Sequence, residues 1–263
     1  MNEIKLIASD LDGTLLLNGA QSLKSETCGL IEQLIDRGIF FVAASGRPYT
    51  NLLRLFEPVK DRIGYICENG CLAFLHDELI FRAEMDQILA KEIIQAFIDE
   101  KDCEVFISGK KTSYIQKDRK DFAKFMHEEI GFDITLIDDM FNIPEVYSKI
   151  SACSESYVQN ADYWKKRFGD RCTVQTGGAA WLDTMPKGVN KSTAFKKLLL
   201  HLNINPENCI MFGDNDNDKE ILSMVGCPIV MKSAKKEMHA FGKFTIDTVE
   251  DVLKDILDGK FNG

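Results

Sequence analysis

The sequence predicts an α/β fold in which a Rossmann-like core with a parallel sheet carries an inserted α+β domain. The first part of the chain alternates apolar strands with helices, the middle part does not, and the alternation resumes at the end. Such alternation is typical of parallel sheets, because neighbouring parallel strands need a long crossover connection. We therefore expect a discontinuous core at residues 1–83 and 186–263, with an inserted domain at residues 84–185.

Apolar runs and helical spacing define the elements of the first part. We predict strands at residues 4–9, 39–44 and 65–67 and helices at residues 23–37 and 49–56. The first helix ends at Gly38, a residue typical of helix C-termini. Because crossovers between parallel strands are right-handed, the carboxyl ends of these strands meet at one edge of the sheet, where ligands bind.

The middle of the chain has a different pattern. Strands that alternate in polarity and turns that contain glycine are typical of antiparallel pairing. We predict a hairpin at 104–108 and 113–116, helices at 119–130 and 160–168, and strands at 146–153 and near 173–176 and 180–184. The core pattern then resumes, with helices at 192–202, 219–225 and 249–257 and strands at 209–212 and 229–231.

Composition excludes several classes of protein. The 263 residues contain 45% hydrophobic residues, enough for a packed core, and the net charge of −9 argues against a nucleic-acid-binding surface. No basic leader precedes an apolar segment, and no run approaches the roughly 18 apolar residues of a membrane span. We expect a cytoplasmic monomer or weak homodimer that binds neither nucleic acid nor membrane. The eight cysteines are typical of thiols, without a disulfide framework or a zinc site.

Two aspartates, Asp10 and Asp12, directly follow the first predicted strand. At strand-like spacing they project to the same side, and carboxylates at a strand's carboxyl end can hold a hard cation such as Mg²⁺. An aspartate can also act as a nucleophile that accepts a phosphoryl group. Taken alone, the pair could equally be a strand end whose aspartates cap the next turn.

Three further groups lie at predicted strand ends or helix starts: Ser45-Gly46, Lys191 and the acidic loop 213–218. Together they suit phosphoryl transfer, which needs a nucleophile, a cation and fixed donors around phosphorus. Each has a simpler interpretation. Ser45 could only cap a helix, Lys191 could be solvated while Lys187 takes its role, and the loop could bind calcium, although it lacks the later glycine and glutamate of a calcium loop.

We predict different chemical roles for the individual aspartates. We predict that Asp10 attacks phosphorus and that Asp10, Asp12 and Asp214 hold Mg²⁺, with Asp12 contributing its backbone carbonyl. Asp218 would support the metal directly or from an outer position. The Asp12 side chain would protonate the leaving alkoxide and then activate the water that hydrolyses the aspartyl-phosphate.

The remaining candidates bind phosphate or substrate. The Ser45 hydroxyl and the Gly46 amide would donate to phosphoryl oxygens, and Lys191 would balance the charge of nucleophile and phosphate. Asn217 could hold phosphate or substrate. Arg47 and Asn69 follow core strands where a substrate could reach them, although Arg47 could equally pair with a core acid.

This ordered set resembles the haloacid dehalogenase (HAD) superfamily of phosphohydrolases, in its Cof-type branch with a C2-type α/β cap. The four motifs match at Asp10 and Asp12 (DxDGT), at Ser45, at Lys191 in KGVNKST, and at Asp214, Asn217 and Asp218 (GDxxND). Many relatives have Thr in place of Ser45, which retains the hydroxyl. The resemblance implies that the inserted cap closes over the substrate, and that Asp12 favours hydrolysis over dehalogenation.

We therefore predict a Mg²⁺-dependent phosphomonoester hydrolase that acts on small phosphorylated metabolites such as sugar phosphates, through an aspartyl-phosphate. A phosphomutase or phosphotransferase would differ only in the group that receives the phosphoryl group. A phosphometabolite sensor without turnover is the non-enzymatic alternative.

Overall fold

The computed structural model describes residues 3–100, 103–177 and 180–261. Its strands are β1 (Leu6–Ser9), β2 (Phe40–Ala44), β3 (Gly64–Cys67), β4 (Leu72–Leu75), β5 (Glu78–Arg82), β6 (Glu104–Ser108), β7 (Ser113–Gln116), β8 (Ile134–Ile137), β9 (Lys149–Cys153), β10 (Cys172–Gly177), β11 (Trp181–Pro186), β12 (Cys209–Gly213), β13 (Cys227–Met231) and β14 (Phe244–Ile246). Its α-helices are α1 (Thr27–Asp36), α2 (Tyr49–Leu55), α3 (Gln87–Glu100), α4 (Lys120–Glu128), α5 (Glu155–Gln159), α6 (Ala161–Phe168), α7 (Lys191–Leu202), α8 (Lys219–Leu222) and α9 (Val249–Leu257).

The chain packs as two compact units, and the first contains a largely parallel sheet. This unit comprises the chain up to Ser45, Leu52–Phe81 and the chain from Asn190 onward. Among the described residues, its sheet has eight strands in the order β14-β13-β12-β1-β2-β3-β4-β5. Neighbours from β14 to β3 are parallel, and β4 pairs with β3 antiparallel. Strand β1 is buried along its whole length, as a central parallel strand should be.

The apolar core of the first unit holds the central strands against α7. Leu6 of β1 and Val42 of β2 belong to the same buried cluster as Phe195 and Leu198 of α7 and Met211 of β12. Because β1 pairs in register with both β2 and β12, the carboxyl ends of these three strands lie side by side. This edge of the sheet presents the chain segments that carry three of the four motifs.

The second unit comprises Arg82–Val189 together with Gly46–Asn51. Its described residues form a six-stranded sheet in the order β10-β11-β9-β6-β7-β8, antiparallel except between β7 and β8. One apolar cluster contains Phe97, Ile150 and Trp164, and a separate one brings Phe106 of the sheet together with Met126 of α4. The unit is therefore an α+β structure with a core of its own.

Most predicted elements are present, with bounds that differ by a few residues. The hairpin at 104–108 and 113–116 is confirmed, whereas the strand predicted at 146–153 begins only at Lys149. Helices α3 and α5 and strands β4, β5, β8 and β14 had not been predicted. We also predict from the sequence that Gly177-Gly178 joins the strands near 173–176 and 180–184, and Gly178 lies outside the described residues.

The predicted domain bounds, with residues 84–185 as the insert, stay a prediction. No sequence feature indicated that Gly46–Asn51 would pack with the second unit. The eight cysteines are thiols, with no disulfide among the described residues. Within the same ranges, no helix combines the length and apolar character that crossing a membrane requires.

Candidate active site

Three aspartates from two neighbouring strand ends form an acidic cluster in the first unit. Asp10 follows β1, while Asp214 and Asp218 follow β12, which pairs with β1 in parallel register. One carboxylate oxygen of each aspartate lies within 4.8 Å of the others. Parallel neighbours end at the same edge of a sheet, so the first and fourth motifs meet because of the topology.

The residues that follow Asp12 support a carboxylate of the other motif. The Thr14 hydroxyl donates to Asp214 Oδ1 at 3.1 Å. Gly13 has a φ of +91°, and a Cβ built on it would lie 2.2 Å from Asp214 Oδ2. Only glycine fits this close approach, and a side chain here would also be strained by the backbone conformation. In the sequence Asp12-Gly13-Thr14, Gly13 therefore allows both the turn and the close approach of Asp214, and Thr14 holds the Asp214 carboxylate by a hydrogen bond.

Lys191 is the cation of the cluster. It begins α7 and has 0% exposure, and its ammonium donates to Asp10 Oδ1 at 2.6 Å and to Asp218 Oδ1 at 2.7 Å. Lys187, the competing candidate, is exposed and donates to the Gly169 carbonyl in the second unit. The geometry therefore brings Lys191, and not Lys187, to the acidic cluster.

The start of α7 is fixed so that Lys191 enters the cluster. The Asn190 side chain caps the helix by accepting the Thr193 N–H. The neighbouring turn approaches closely at Gly70, where a Cβ would lie 2.1 Å from the Asn190 carbonyl oxygen and φ is +95°. A residue with a side chain at Gly70 would displace the helix cap, and with it Lys191.

Both carboxylate oxygens of Asp218 already accept hydrogen bonds. Oδ1 accepts from Lys191, and Oδ2 accepts from the backbone N–H groups of Asp214 at 3.1 Å and Asn215 at 3.2 Å. Asp218 is completely buried. It therefore closes the acidic loop on itself and joins that loop to Lys191.

Burial and mutual repulsion disfavour the charged form of two of the aspartates. Burial raises the pKa of Asp10, Asp218 and Asp214 raise it further, and Lys191 lowers it. Burial and the Asp218 carboxylate likewise raise the pKa of Asp214. Burial lowers the pKa of Lys191, but Asp10 and Asp218 raise it more, so that this pKa lies above its ordinary value. Lys191 is therefore charged, and it is outnumbered by the carboxylates around it.

The donor set fits a hard divalent cation. All three side chains offer oxygen atoms, these atoms lie close together, and one ammonium does not neutralise three carboxylates. The exposed side chain of Asp12 does not belong to this cluster in the described part of the chain. Its predicted contribution through a backbone carbonyl stays a prediction.

Ser45 and Asn217 are linked through Asn69. Ser45 is buried at the end of β2, where its N–H donates to the Ile66 carbonyl at 2.8 Å and its carbonyl accepts the Asn69 N–H at 3.1 Å. The Asn69 side-chain oxygen accepts from the Asn217 amide at 3.2 Å. In the sequence, Asn69 is marked as a candidate only by its position after a core strand. Its left-handed backbone, with φ of +55°, carries its side chain to the fourth motif.

Gly46 and Arg47 pack with the second unit. The Gly46 carbonyl accepts from Lys149 Nζ at 3.0 Å, and Arg47 Nη1 donates to Asn51 Oδ1 at 3.2 Å. Their predicted contacts with phosphate or substrate stay predictions. The roles of the other candidate residues also stay predictions, although their geometry suits those roles.

Known proteins resemble this chain over nearly its whole length. A family model for haloacid dehalogenase-like hydrolases matches residues 7–254. The 5-amino-6-(5-phospho-D-ribitylamino)uracil phosphatase YbjI of Escherichia coli is 26% identical over 263 residues, covering 95% of this chain and 97% of the relative. The HMP-PP phosphatase of an Enterobacter species is 27% identical over 247 residues, covering 90% and 87%.

A solved structure from Eubacterium rectale matches with a TM-score of 0.85 and 27% identity, covering 98% of this chain and 99% of that one. This match confirms the predicted fold class. The family model and the named relatives confirm the predicted enzyme class, a phosphatase of the HAD type. The resemblance predicted from the four motifs is thereby confirmed as well, and the chain belongs to the haloacid dehalogenase-like hydrolases.

Proposed function

We propose that this enzyme is a Mg²⁺-dependent phosphomonoester hydrolase that acts on small phosphorylated metabolites through an aspartyl-phosphate on Asp10. One observation carries the proposal: a completely buried lysine, Lys191, holds Asp10 inside a cluster in which three carboxyl groups surround one ammonium. Buried ion pairs add little net stability, because the cost of removing the charges from water offsets most of their attraction. An unbalanced cluster at the edge where α/β folds bind ligands suits a cation and a phosphate.

Asp10 is the nucleophile in this proposal. One of its carboxylate oxygens forms a bond to phosphorus while the bond from phosphorus to the leaving alkoxide breaks. Lys191 keeps Asp10 oriented and offsets negative charge as the phosphoryl group is transferred, because its raised pKa keeps it protonated. Asp218 fixes Lys191 from the opposite side.

Asp12 moves the protons. Its side chain is exposed, two residues beyond the nucleophile, where solvent can reach it. It gives a proton to the leaving alkoxide and then, as a carboxylate, takes one from the water that attacks the aspartyl-phosphate. That second step regenerates Asp10 and releases inorganic phosphate, so atoms and charges balance over the cycle.

Asp10 and Asp214, with the backbone carbonyl of Asp12, are the proposed metal ligands. Mg²⁺, when bound, neutralises the oxygens around phosphorus. We assign Asp218 a supporting role, since both of its oxygens already accept hydrogen bonds from Lys191 and the backbone of the acidic loop. Asp214 is held for binding by Thr14.

Ser45, Gly46 and Asn217 are the proposed phosphate donors. Ser45 and Asn217 are tied to each other through Asn69, so the second and fourth motifs share one hydrogen-bond network. Arg47 is proposed to contact the substrate. The second unit is proposed to act as the cap that selects the leaving group, as the family resemblance implies.

The names of the relatives suggest where to look for substrates. One is named for a 5-phospho-D-ribityl compound, in which the phosphate sits on a polyol chain, and the other for HMP-PP. We therefore propose small phosphorylated metabolites as the substrate class, with sugar phosphates the first to be tested. The phosphomutase, phosphotransferase and sensor alternatives remain as outcomes of that test.

The test is phosphate release from a panel of sugar phosphates, nucleotides and small phosphoesters, with and without Mg²⁺. Asp10→Asn serves as the blank, and Asp12→Asn should release phosphate roughly 10²- to 10⁴-fold more slowly. Release that needs Mg²⁺ and vanishes in the blank supports the proposal. Transfer of the phosphoryl group to a second hydroxyl without release would favour a mutase, and phosphate-ester binding without turnover would favour a sensor.

A further inference from the structure

A second buried lysine, Lys149, contacts the chain immediately after Ser45. Lys149 begins β9, is 5% exposed and donates to the Gly46 carbonyl at 3.0 Å. Its ammonium lies 3.8 Å from Asp183 Oδ2, and Asp183 Oδ1 accepts the Ser151 hydroxyl at 2.6 Å. A lysine is almost never buried without partners, so this one is held by a carboxylate and a backbone carbonyl.

The segment Gly46–Asn51 has a second anchor at its other end. The Asn51 amide donates to the Ile130 carbonyl at 3.1 Å and to the Gly131 carbonyl at 3.2 Å. Asn51 is buried, and Arg47 donates to its side-chain oxygen. The segment is thus fastened within the second unit by Lys149 at its start and by Asn51 at its end.

Gly46 is the residue at which the chain passes from the first unit to the second. The peptide group before it is held in the first unit, because the Ser45 carbonyl accepts the Asn69 N–H. The peptide group after it is held in the second unit, because the Gly46 carbonyl accepts from Lys149. Because peptide groups are planar, the Gly46 N–H lies in the plane of the Ser45 carbonyl, and the two backbone rotations of Gly46 join that plane to the peptide group that Lys149 holds.

We propose that Lys149 is a positioning residue for phosphate binding, acting through the Gly46 carbonyl on the Gly46 amide and its neighbour Ser45. The inference rests on the proposed function, in which the Ser45 hydroxyl and the Gly46 amide donate to phosphate. Without the bond from Lys149, Gly46 gains rotational freedom that glycine in particular can use. A donor that must be reordered on each binding event binds more weakly.

The test compares Lys149→Met with Lys149→Arg in the full-length protein. The dissociation constant of inorganic phosphate is measured by calorimetry with Mg²⁺ present, and turnover is measured with acetyl phosphate, whose leaving group is small. A hydrogen bond from a charged group is worth enough that Lys149→Met should weaken phosphate binding roughly tenfold. The catalytic efficiency should fall by a similar factor, and Lys149→Arg should recover part of both.

Two control variants separate positioning from general damage. Lys187→Met removes another lysine of the second unit that donates to a glycine carbonyl, and both readouts should stay as in the wild type. Asp183→Asn disturbs the partner of Lys149 but leaves the bond to Gly46. It should lower the melting temperature with little change in the phosphate dissociation constant. If Lys149→Met does not fold, Asn51→Ala removes the second anchor and should weaken phosphate binding roughly fivefold.

The outcomes distinguish this inference from the function on which it rests. A Lys149→Met protein that loses turnover per mole but binds phosphate as the wild type does would overturn the inference, because a reduced folded fraction leaves the dissociation constant unchanged. Wild-type protein that binds phosphate yet releases none from any ester would overturn the proposed function, while the comparison of dissociation constants would still decide the role of Lys149. Absence of phosphate binding by the wild type would overturn both.

Discussion

Each unit of this protein buries a lysine beside an aspartate, and the two clusters differ in charge. Lys191 in the first unit contacts Asp10 and Asp218, with Asp214 close by, so one ammonium faces three carboxylates. Lys149 in the second unit contacts the Asp183 carboxylate and a backbone carbonyl, and within the described residues Asp183 belongs to no group of three clustered carboxylates. The burial is similar, so the difference lies in the balance of charge.

The difference in charge distinguishes a cluster suited to chemistry from a structural contact. A balanced buried pair needs nothing further, because each charge has its partner and the remaining lone pairs are satisfied by hydrogen bonds. An unbalanced cluster stores electrostatic repulsion, which raises the pKa of Asp10 and Asp214 after burial has already raised it. Repulsion between buried carboxylates is typical of functional sites, where a bound ligand relieves it. A divalent cation is the ligand that suits these oxygen donors.

The largest contrast should come from the same substitution in each cluster. Asp10→Asn should reduce phosphate release by at least roughly 10⁴-fold, because an amide cannot form the aspartyl-phosphate. In metal-free buffer it should not lower the melting temperature. A carboxyl whose pKa is raised on folding destabilises the folded state at pH values above that pKa, and Asn removes this cost.

Asp183→Asn should do the opposite. It weakens the contact with Lys149 and the hydrogen bond from Ser151, so the free energy of unfolding should fall by about 2 kcal/mol. Turnover per folded molecule should stay close to that of the wild type. Phosphate release and thermal unfolding measured on both variants test the pair. Loss of stability in Asp10→Asn equal to that in Asp183→Asn would refute the contrast between the clusters.

Lys191→Met should sharpen the contrast by removing the only ammonium shown to pair with Asp10 in the described residues. It leaves Asp10 and Asp218 buried beside Asp214 without that cation, so we expect a loss of about 3–5 kcal/mol in metal-free buffer. Turnover should fall roughly 10²- to 10³-fold even at saturating Mg²⁺, because a fixed charge at the nucleophile is lost.

The control for this prediction is Lys187→Met, which changes an exposed lysine four positions earlier in the chain. It should retain both turnover and stability, measured by phosphate release and by chemical unfolding with EDTA present. If Lys187→Met lost turnover and Lys191→Met did not, the assignment of the third motif to Lys191 would be wrong.

Sequence reasoning predicted the parts of the site that depend on strand ends. Asp10 and Asp214 could be placed together because each follows an apolar strand of a parallel sheet, and topology then brings these ends to one edge. The antiparallel strand β4 was missed because the turn before it uses left-handed φ values at Glu68 and Asn69, where propensity would favour glycine. The same turn carries Asn69 to Asn217, a contact that no pattern indicated.

Other omissions have different causes. Helix α3 has buried apolar residues at helical spacing, including Ile93, Ile94 and Phe97, so the sequence pattern alone is sufficient to predict a helix there. The packing of Gly46–Asn51 with the second unit depends on hydrogen bonds between residues far apart in the chain, such as Asn51 to Ile130. Pairings of this kind leave no periodic signal in a single sequence.

The smallest effect, and the most direct test of charge imbalance, is the stability gained on adding Mg²⁺. A ligand that binds only the folded state stabilises it by about 2.7 kcal/mol at a concentration 100 times its dissociation constant. The wild type should therefore melt at a higher temperature with Mg²⁺ than with EDTA. Asp183→Asn should show the same increase from a lower starting point, since in the described residues Asp183 belongs to no group of clustered carboxylates that could hold a metal ion.

Two variants of the first cluster then distinguish a residue that binds the metal from one that only holds the acidic loop in place. Asp214→Asn should abolish the increase, because it removes a proposed ligand that Thr14 and Gly13 seat in the cluster. Asp218→Asn should need more Mg²⁺ to reach the same increase, because it loosens the loop that carries Asp214 but removes no proposed ligand. Complete loss of the increase in Asp218→Asn would instead make Asp218 a direct ligand, and an increase retained in Asp214→Asn would place the cation elsewhere. Thermal unfolding reads out every case without turnover, so the result holds even for variants that are inactive.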